Sequence, residues 1–123
     1  MHITTQLADE LGRYLDVATT QLKLSTNNMA NVDTPGYHTK GINFYSEMQR
    51  SLNEINKGGS GSDHAVDVVQ VGGLLERPDG NNVSMEREGL TLAEAQLEFK
   101  TGETLLKDQF KNLMSAIKET SGS

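Results

Sequence analysis

Between Gly12 and Pro35 no glycine or proline interrupts a run in which apolar residues return every three or four positions. Leu7, Leu11, Tyr14, Ala18, Leu22, Ser25, Met29 and Val32 lie on one stripe, which Leu15 and Leu24 widen. That period predicts one amphipathic helix from about Thr5 to Val32. At 1.5 Å per residue it would be about 40 Å long. A helix of that length with a single narrow stripe cannot bury its own apolar face, so it demands a partner helix. Gly12 costs it only about 1 kcal/mol relative to alanine. The stop is abrupt. Pro35 lacks an N–H and biases Thr34 out of the α region. Pro35-Gly36 suits the two central positions of a type II turn, the second of which needs positive φ. Asn27, Asn28 and Asn31 crowd amides at this helix end, more than a cap requires.

A second helical run extends from about Met85 to Glu119. Its stripe is Leu92, Gln96, Phe99, Glu103, Leu106, Phe110, Leu113 and Ile117, widened by Ala93, Leu97 and Met114. Ser84 suits the N-cap, and Glu86 and Glu88 suit the positive end of the helix dipole. Glu103 and Lys107 are ordered for an i,i+4 pair, and Lys111 and Lys118 suit the negative end. Gly89 and Gly102 read as weak points. The seam between the two helices is expected to use Leu7, Leu11, Leu22, Met29, Leu106, Phe110, Leu113 and Ile117. Between the runs, His38 to Gly41 reads as an extended loop. Phe44, Met48, Leu52 and Ile55 then predict a short helix over about Phe44 to Asn56. Lys57 to Asp63 is a Gly/Ser-rich flexible stretch. Val66, Val68, Val69 and Val71 suit one short strand, paired with a neighbouring subunit or left irregular. Pro78 to Asn82 is a second turn cluster. The expected fold is mainly α: long N- and C-terminal helices pairing as a coiled coil, with a short irregular middle holding one short helix and one short strand. The chain divides into a helix and turn at 1–37, a variable middle at 38–82 and a C-terminal helix at 83–123.

Composition excludes several functions. Apolar residues make up 35%, aromatics 5%, and there is no tryptophan, so a thin seam is expected rather than a thick core. A net charge of −6 with no Lys/Arg cluster argues against nucleic acid and against an anionic membrane surface. No cysteine is present, which removes disulfides and thiolate chemistry. The N-terminal residues have neither a basic region nor a continuous apolar run, so neither a cleaved secretory signal nor a membrane-inserted span is expected. His2, His38 and His64 lie far apart, and none has a partner at metal-ligand spacing. Asp63-His64 near Asp67 resembles a relay fragment, but its Gly/Ser-rich setting cannot hold geometry. Asp9-Glu10 and the Glu86/Glu88 pair read as solvated helix faces, with no burial to raise a carboxyl pKa. No catalytic residue, cofactor, metal site or small-molecule substrate emerges.

Asn28-Met29-Ala30-Asn31-Val32-Asp33-Thr34-Pro35-Gly36-Tyr37 closely resembles the N-(I/L)-A-N-x-(D/N)-T-P-G-(Y/F) signature of bacterial flagellar axial proteins. The matching positions are Asn28, Ala30, Asn31, Asp33, Thr34, Pro35, Gly36 and Tyr37. Two features narrow the likeness to the proximal rod proteins of the basal body. The chain has almost no central domain, and Asp79 to Glu88 resembles the D-G-N-x-V-x-x-(E/D)-x-E opening of their C-terminal helix. Leu113 to Ile117 resembles the end of that helix. The resemblance covers most of the chain outside roughly Asn53 to Pro78. It implies an antiparallel helix pair forming the inner layer of a tubular rod. The implied partners are other rod subunits, further copies of the chain, the rod adaptor FliE, and the MS ring and export gate at the base. It also implies export through the flagellar type III apparatus without signal cleavage. Phe44 and Met48 resemble the gate-recognition pattern of such substrates, and they serve equally well as core contacts of a short helix. On this reading Asn28 and Asn31 join helix ends between subunits. Two departures from the family pattern stand out: Gly41-Ile42-Asn43 replaces a common Arg-Asp pair, and Gly89 interrupts a usually continuous helix. The alternatives are another short rod subunit and a cytoplasmic coiled-coil export adaptor, which has no need of the turn motif.

Overall fold

A computed structural model describes residues 2–58 and 65–121. Its five elements, in chain order, are α1 (His2–Ala30), β1 (Lys40–Gly41), α2 (Phe44–Asn56), β2 (Val69–Gln70) and α3 (Met85–Ser121). The fold is mainly α, as the periodicity predicts. The two long helices run antiparallel. Leu22 faces Gln96 and Phe99 across a shallow groove, Tyr14 and Leu15 lie against Gly102, and Ala8 sits near Leu106 and Leu113.

The seam is set by small residues on α3. Ala95 and Gly102 are buried, and a Cβ added at Gly102 would stand 2.7 Å from Tyr14 Cδ1 and 2.9 Å from Leu15 Cδ2. Gly102 is therefore the notch that admits α1, and not a weak point. Gly89 meets nothing within 4 Å, and nothing in the structure explains it. Leu11, Val17 and Ala18 are buried on α1, and Leu22, Met29, Leu106 and Leu113 are half-buried. Phe110 only edges the seam, lining a small apolar cleft with Ala8, Leu106 and Leu113 while 58% exposed, and Ile117 (49%) and Leu7 are exposed. The reason is rotational: α1 takes the stripe that includes Ala95 and Gly102, so the larger side chains flanking it stay outside. Leu90, Leu97, Leu105 and Met114 stay outside with them.

α2 lies on α1. Asn43, within the stretch that departs from the family pattern, supplies its N-cap by accepting a bond from Ser46 N at 3.0 Å. Phe44 meets Tyr14 edge to face, with ring centroids 5.3 Å apart. The inward face is turned from the predicted row, of which Phe44 stays half-buried and Ile55 buried. Glu47, Ser51 and Ile55 are buried, Met48 is half-buried and Leu52 is exposed. A buried ion pair sets that rotation, because Arg13 Nη2 donates to Glu47 Oε2 at 2.8 Å. Arg50 Nη2 donates to the same oxygen at 3.1 Å, and Asp67 N donates to Oε1 at 2.9 Å. The carboxylate thus ties α1, α2 and the segment after α2 together.

β2 pairs antiparallel with β1 in the same chain, Lys40 opposite Gln70 and Gly41 opposite Val69. The loop expected at His38 to Gly41 therefore contains a strand, and the valine run finds its partner without a neighbouring subunit. Most of the predicted Gly/Ser-rich stretch, with His64, lies outside the described residues.

Candidate functional site

At the end of α1 the backbone tightens before it turns. Asn31 N donates to Asn27 O and Asn28 O, Val32 N to Met29 O, and Thr34 N to Asn31 O at 3.0 Å. Tyr37 N then donates to Thr34 O at 3.2 Å across Pro35-Gly36, and Gly36 has φ +74°. This is the type II turn that the Pro-Gly pair predicts. It leaves several carbonyls at the negative end of the α1 dipole in need of donors.

The donors come from the second motif. Arg77 N donates to Asn81 O and Gly80 N to Arg77 O, both at 2.8 Å, closing Arg77 to Asn81 into a small loop. The loop docks on the turn. Gly36 N donates to Asp79 O at 2.9 Å, and a Cβ on Gly80 (φ +85°) would lie 3.3 Å from Gly36 Cα. Asn81 Nδ2 donates to Asn31 O at 2.9 Å and to Thr34 O at 2.8 Å, while its Oδ1 accepts from Val83 N at 2.8 Å. Arg77 Nη2 donates to Val32 O, placing a cation at the negative helix end. Asn82 Oδ1 accepts from Thr39 N at 2.7 Å, and Thr39 Oγ1 donates to Asn82 O at 3.3 Å. Ser84 then caps α3 by accepting from Arg87 N at 3.2 Å.

The signature asparagines are engaged within the chain. Asn28 is 0% exposed. Its Nδ2 donates to Lys40 O at 2.8 Å, and its Oδ1 accepts from Tyr37 Oη at 3.0 Å and Lys40 N at 3.1 Å. Both lone pairs of that oxygen are used, and the amide pairs with β1 as a strand would. Asn31 folds onto its own turn, donating to Asn27 O at 2.8 Å and accepting from Thr34 Oγ1 at 3.0 Å. The expectation that Asn28 bridges subunits gives way to this internal bracing, because its side chain is enclosed, and Asn31 braces its own turn from a half-buried position. Asn27 Nδ2 donates to Tyr37 Oη at 3.2 Å. Burial pushes the Tyr37 phenol up, the Asn27 bond opposes this, and the Glu88 charge adds to it. Ala30, Asp33, Thr34, Pro35 and Gly36 are exposed.

Two carboxyls read as solvated are not. Glu88 is fully buried, with Oε1 accepting from Arg87 Nη1 at 2.8 Å. Glu10 is half-buried, and its carboxyl is pushed above the usual range by burial, partly offset by the nearby Ser51 hydroxyl. Glu98 is raised by burial and by the nearby Glu94 charge. Among the described residues, no three metal-ligating side chains are grouped to hold an ion, and no helix is long and apolar enough to cross a membrane. His38 pairs with Glu76 at 3.4 Å. What the site can do chemically is saturate backbone groups. It is a joint, closed by neutral amides and one guanidinium.

The sequence places Asn81 and Asn82 in the second turn cluster and in the motif that opens the C-terminal helix, without giving them this role, and does not single out Thr39 or Arg77. The available signal was a surplus of side-chain amides in both motifs beside a helix end whose carbonyls needed donors.

A long antiparallel helix pair joined at one end by two polar motifs, with apolar residues exposed along its flank, defines a structural building block. No protein-family model matches the chain. It is 34% identical over 106 residues to the flagellar basal body rod protein FlgB of Salmonella typhimurium, covering 73% of this chain and 77% of that one. It is 32% identical over 125 residues to FlgB of Cereibacter sphaeroides, covering 93% and 98%. FlgB of Yersinia ruckeri is 27% identical over 121 residues, covering 85% and 88%. The chain belongs to the flagellar basal body rod protein FlgB family.

Proposed function

We propose that this chain is a non-catalytic structural subunit of the proximal rod of the bacterial flagellar basal body. It stacks helically with its neighbours and carries torque from the motor ring toward the distal rod and hook. The helical ends at 1–37 and 83–123 build the rod wall, and the short middle at 38–82 braces them. Its partners are other rod subunits and copies of itself, with FliE, the MS ring and the export gate at the base. It reaches the rod through the flagellar type III apparatus without signal cleavage, and Phe44 with Met48 serves gate recognition before α2 folds onto α1.

The observation that carries this reading is the row of large apolar side chains left exposed along α3, including Leu97, Leu105, Phe110, Met114 and Ile117. Each contributes roughly 1.5–3 kcal/mol once fully buried against a neighbour. The test is complementation of a strain lacking the corresponding gene. Wild type restores motility. Phe110→Ser with Met114→Ser leaves the isolated chain's stability within about 0.5 kcal/mol per site, as expected of exposed positions, yet yields basal bodies without a rod. Normal rods built from that double variant would sink the reading.

A further inference from the structure

Asp79-Gly80 is a pair in which the main chain can attack its own side chain. Glycine puts no Cβ in the path of its amide nitrogen as it closes on the aspartate carboxyl. In the unfolded chain nothing opposes that closure. In the folded chain three hydrogen bonds do. Asp79 Oδ1 accepts from Asn81 N at 3.0 Å, which holds the carboxyl group turned toward Asn81. Asp79 O accepts from Gly36 N at 2.9 Å, and Gly80 N donates to Arg77 O at 2.8 Å. The last two fix the peptide plane between the reacting residues, and ring closure requires that plane to rotate. The backbone of Gly36 also abuts Gly80.

We propose that Asp79-Gly80 is a latent isomerisation site held shut by the joint, so that isoaspartate there marks chains whose joint has opened. In the first step Gly80 N gives up its proton and bonds to Asp79 Cγ, and the carboxyl oxygen leaves as water, forming a succinimide. In the second, one water opens the ring. Cleavage at Cγ restores aspartate. Cleavage of the bond between Asp79 C and Gly80 N leaves the chain running through Cβ and Cγ, with a free α-carboxylate. One water leaves and one returns, so no oxidant or reductant is needed. The isomerised loop has an extra main-chain atom, and the oxygen that Gly36 N once met no longer belongs to the main chain. The Arg77 to Asn81 closure cannot re-form as it was.

The experiment incubates the full-length chain at near-neutral pH, native and in urea, beside an Arg77→Ala/Asn81→Ala variant. Succinimide is read as loss of water in the peptide containing Asp79, and isoaspartate by enzymatic methylation. In the urea sample Asp79 is expected to be modified. The native chain is expected to react at least about tenfold more slowly, because only its opened fraction reacts. The variant is expected to approach the urea rate, whether it loosens the joint or unfolds altogether. Amide exchange at Gly80 is expected to be protected in the native sample. Equal rates in native and urea samples, no modification at Asp79 in urea, or an unprotected Gly80 amide would each overturn the proposal.

Discussion

Asn81 makes three hydrogen bonds with one buried side chain, and its two acceptors, Asn31 O and Thr34 O, lie in the other motif. Removing the amide leaves the buried Val83 N–H unpaired and takes a second donor from two carbonyls, Asn31 O and Thr34 O, that keep their turn bonds from Thr34 N and Tyr37 N. Asn81→Ala is therefore expected to destabilise the chain by about 2–3 kcal/mol in urea unfolding. The Arg13–Glu47 pair makes a sharper case, since both side chains are buried. Arg13→Met leaves the carboxylate with Arg50 and the Asp67 N–H and should cost about 3 kcal/mol. Arg13→Met with Glu47→Leu should recover part of that loss. A double variant no more stable than the single one would show that the packing there cannot accept apolar replacements. At this scale the sequence was only half legible. Pro35 and Gly36 act on their immediate neighbours, so their turn could be read directly. The amide of Asn28 gives no sign of whether its acceptor is Lys40, twelve residues on, or another subunit.

Helix boundaries proved legible because the signals that set them are local. Ser84 caps α3, Pro35 keeps the chain beyond α1 from returning to helix, and α2 begins at Phe44 as its spacing predicts. The rotation of each helix about its axis was not legible. α3 carries two overlapping stripes, one of large apolar residues and one that includes Ala95 and Gly102. Hydrophobicity alone favours the first, while close approach of α1 selects the second. Two glycine substitutions test this difference. Gly89→Ala, in open space, should stabilise the chain by up to about 1 kcal/mol through helix propensity. Gly102→Ala gains the same propensity but drives a methyl into Tyr14 and Leu15, and should instead lower the melting temperature. The seam also has a pH signature. Glu10 and Glu98 are raised in the folded state, so they bind protons more tightly there than in the unfolded chain. Their contribution to stability is full below the ordinary carboxyl pKa of 4.5 and is lost as pH rises through the raised values. Glu10→Gln with Glu98→Gln should melt above wild type at neutral pH, with the gap closing as the pH falls toward that value.

Over the whole molecule, burial is graded. Buried residues cluster from Leu11 to Ile55 and from Asn81 to Gly102, and past Gly102 no described residue of α3 is buried. The helicity of α3 beyond the notch should therefore rise with protein concentration, as neighbours cover what α1 does not. Circular dichroism over a dilution series checks this, and helicity independent of concentration would count against it. Antiparallel pairing gives the gradient a mechanical meaning. The start of α1 and the end of α3 lie at the same end, opposite the joint. A force applied there peels the helices apart one turn at a time, like a zipper, instead of shearing the whole seam at once. Peeling meets the least buried contacts first and the joint last. In an optical trap with handles at both termini, the extension should grow gradually at low force and then jump once, when Arg77 to Val83 tears from the α1 turn. A chain drawn out from its ends would thus lose the pairing beyond Gly102 cheaply, and its last folded element would be the joint.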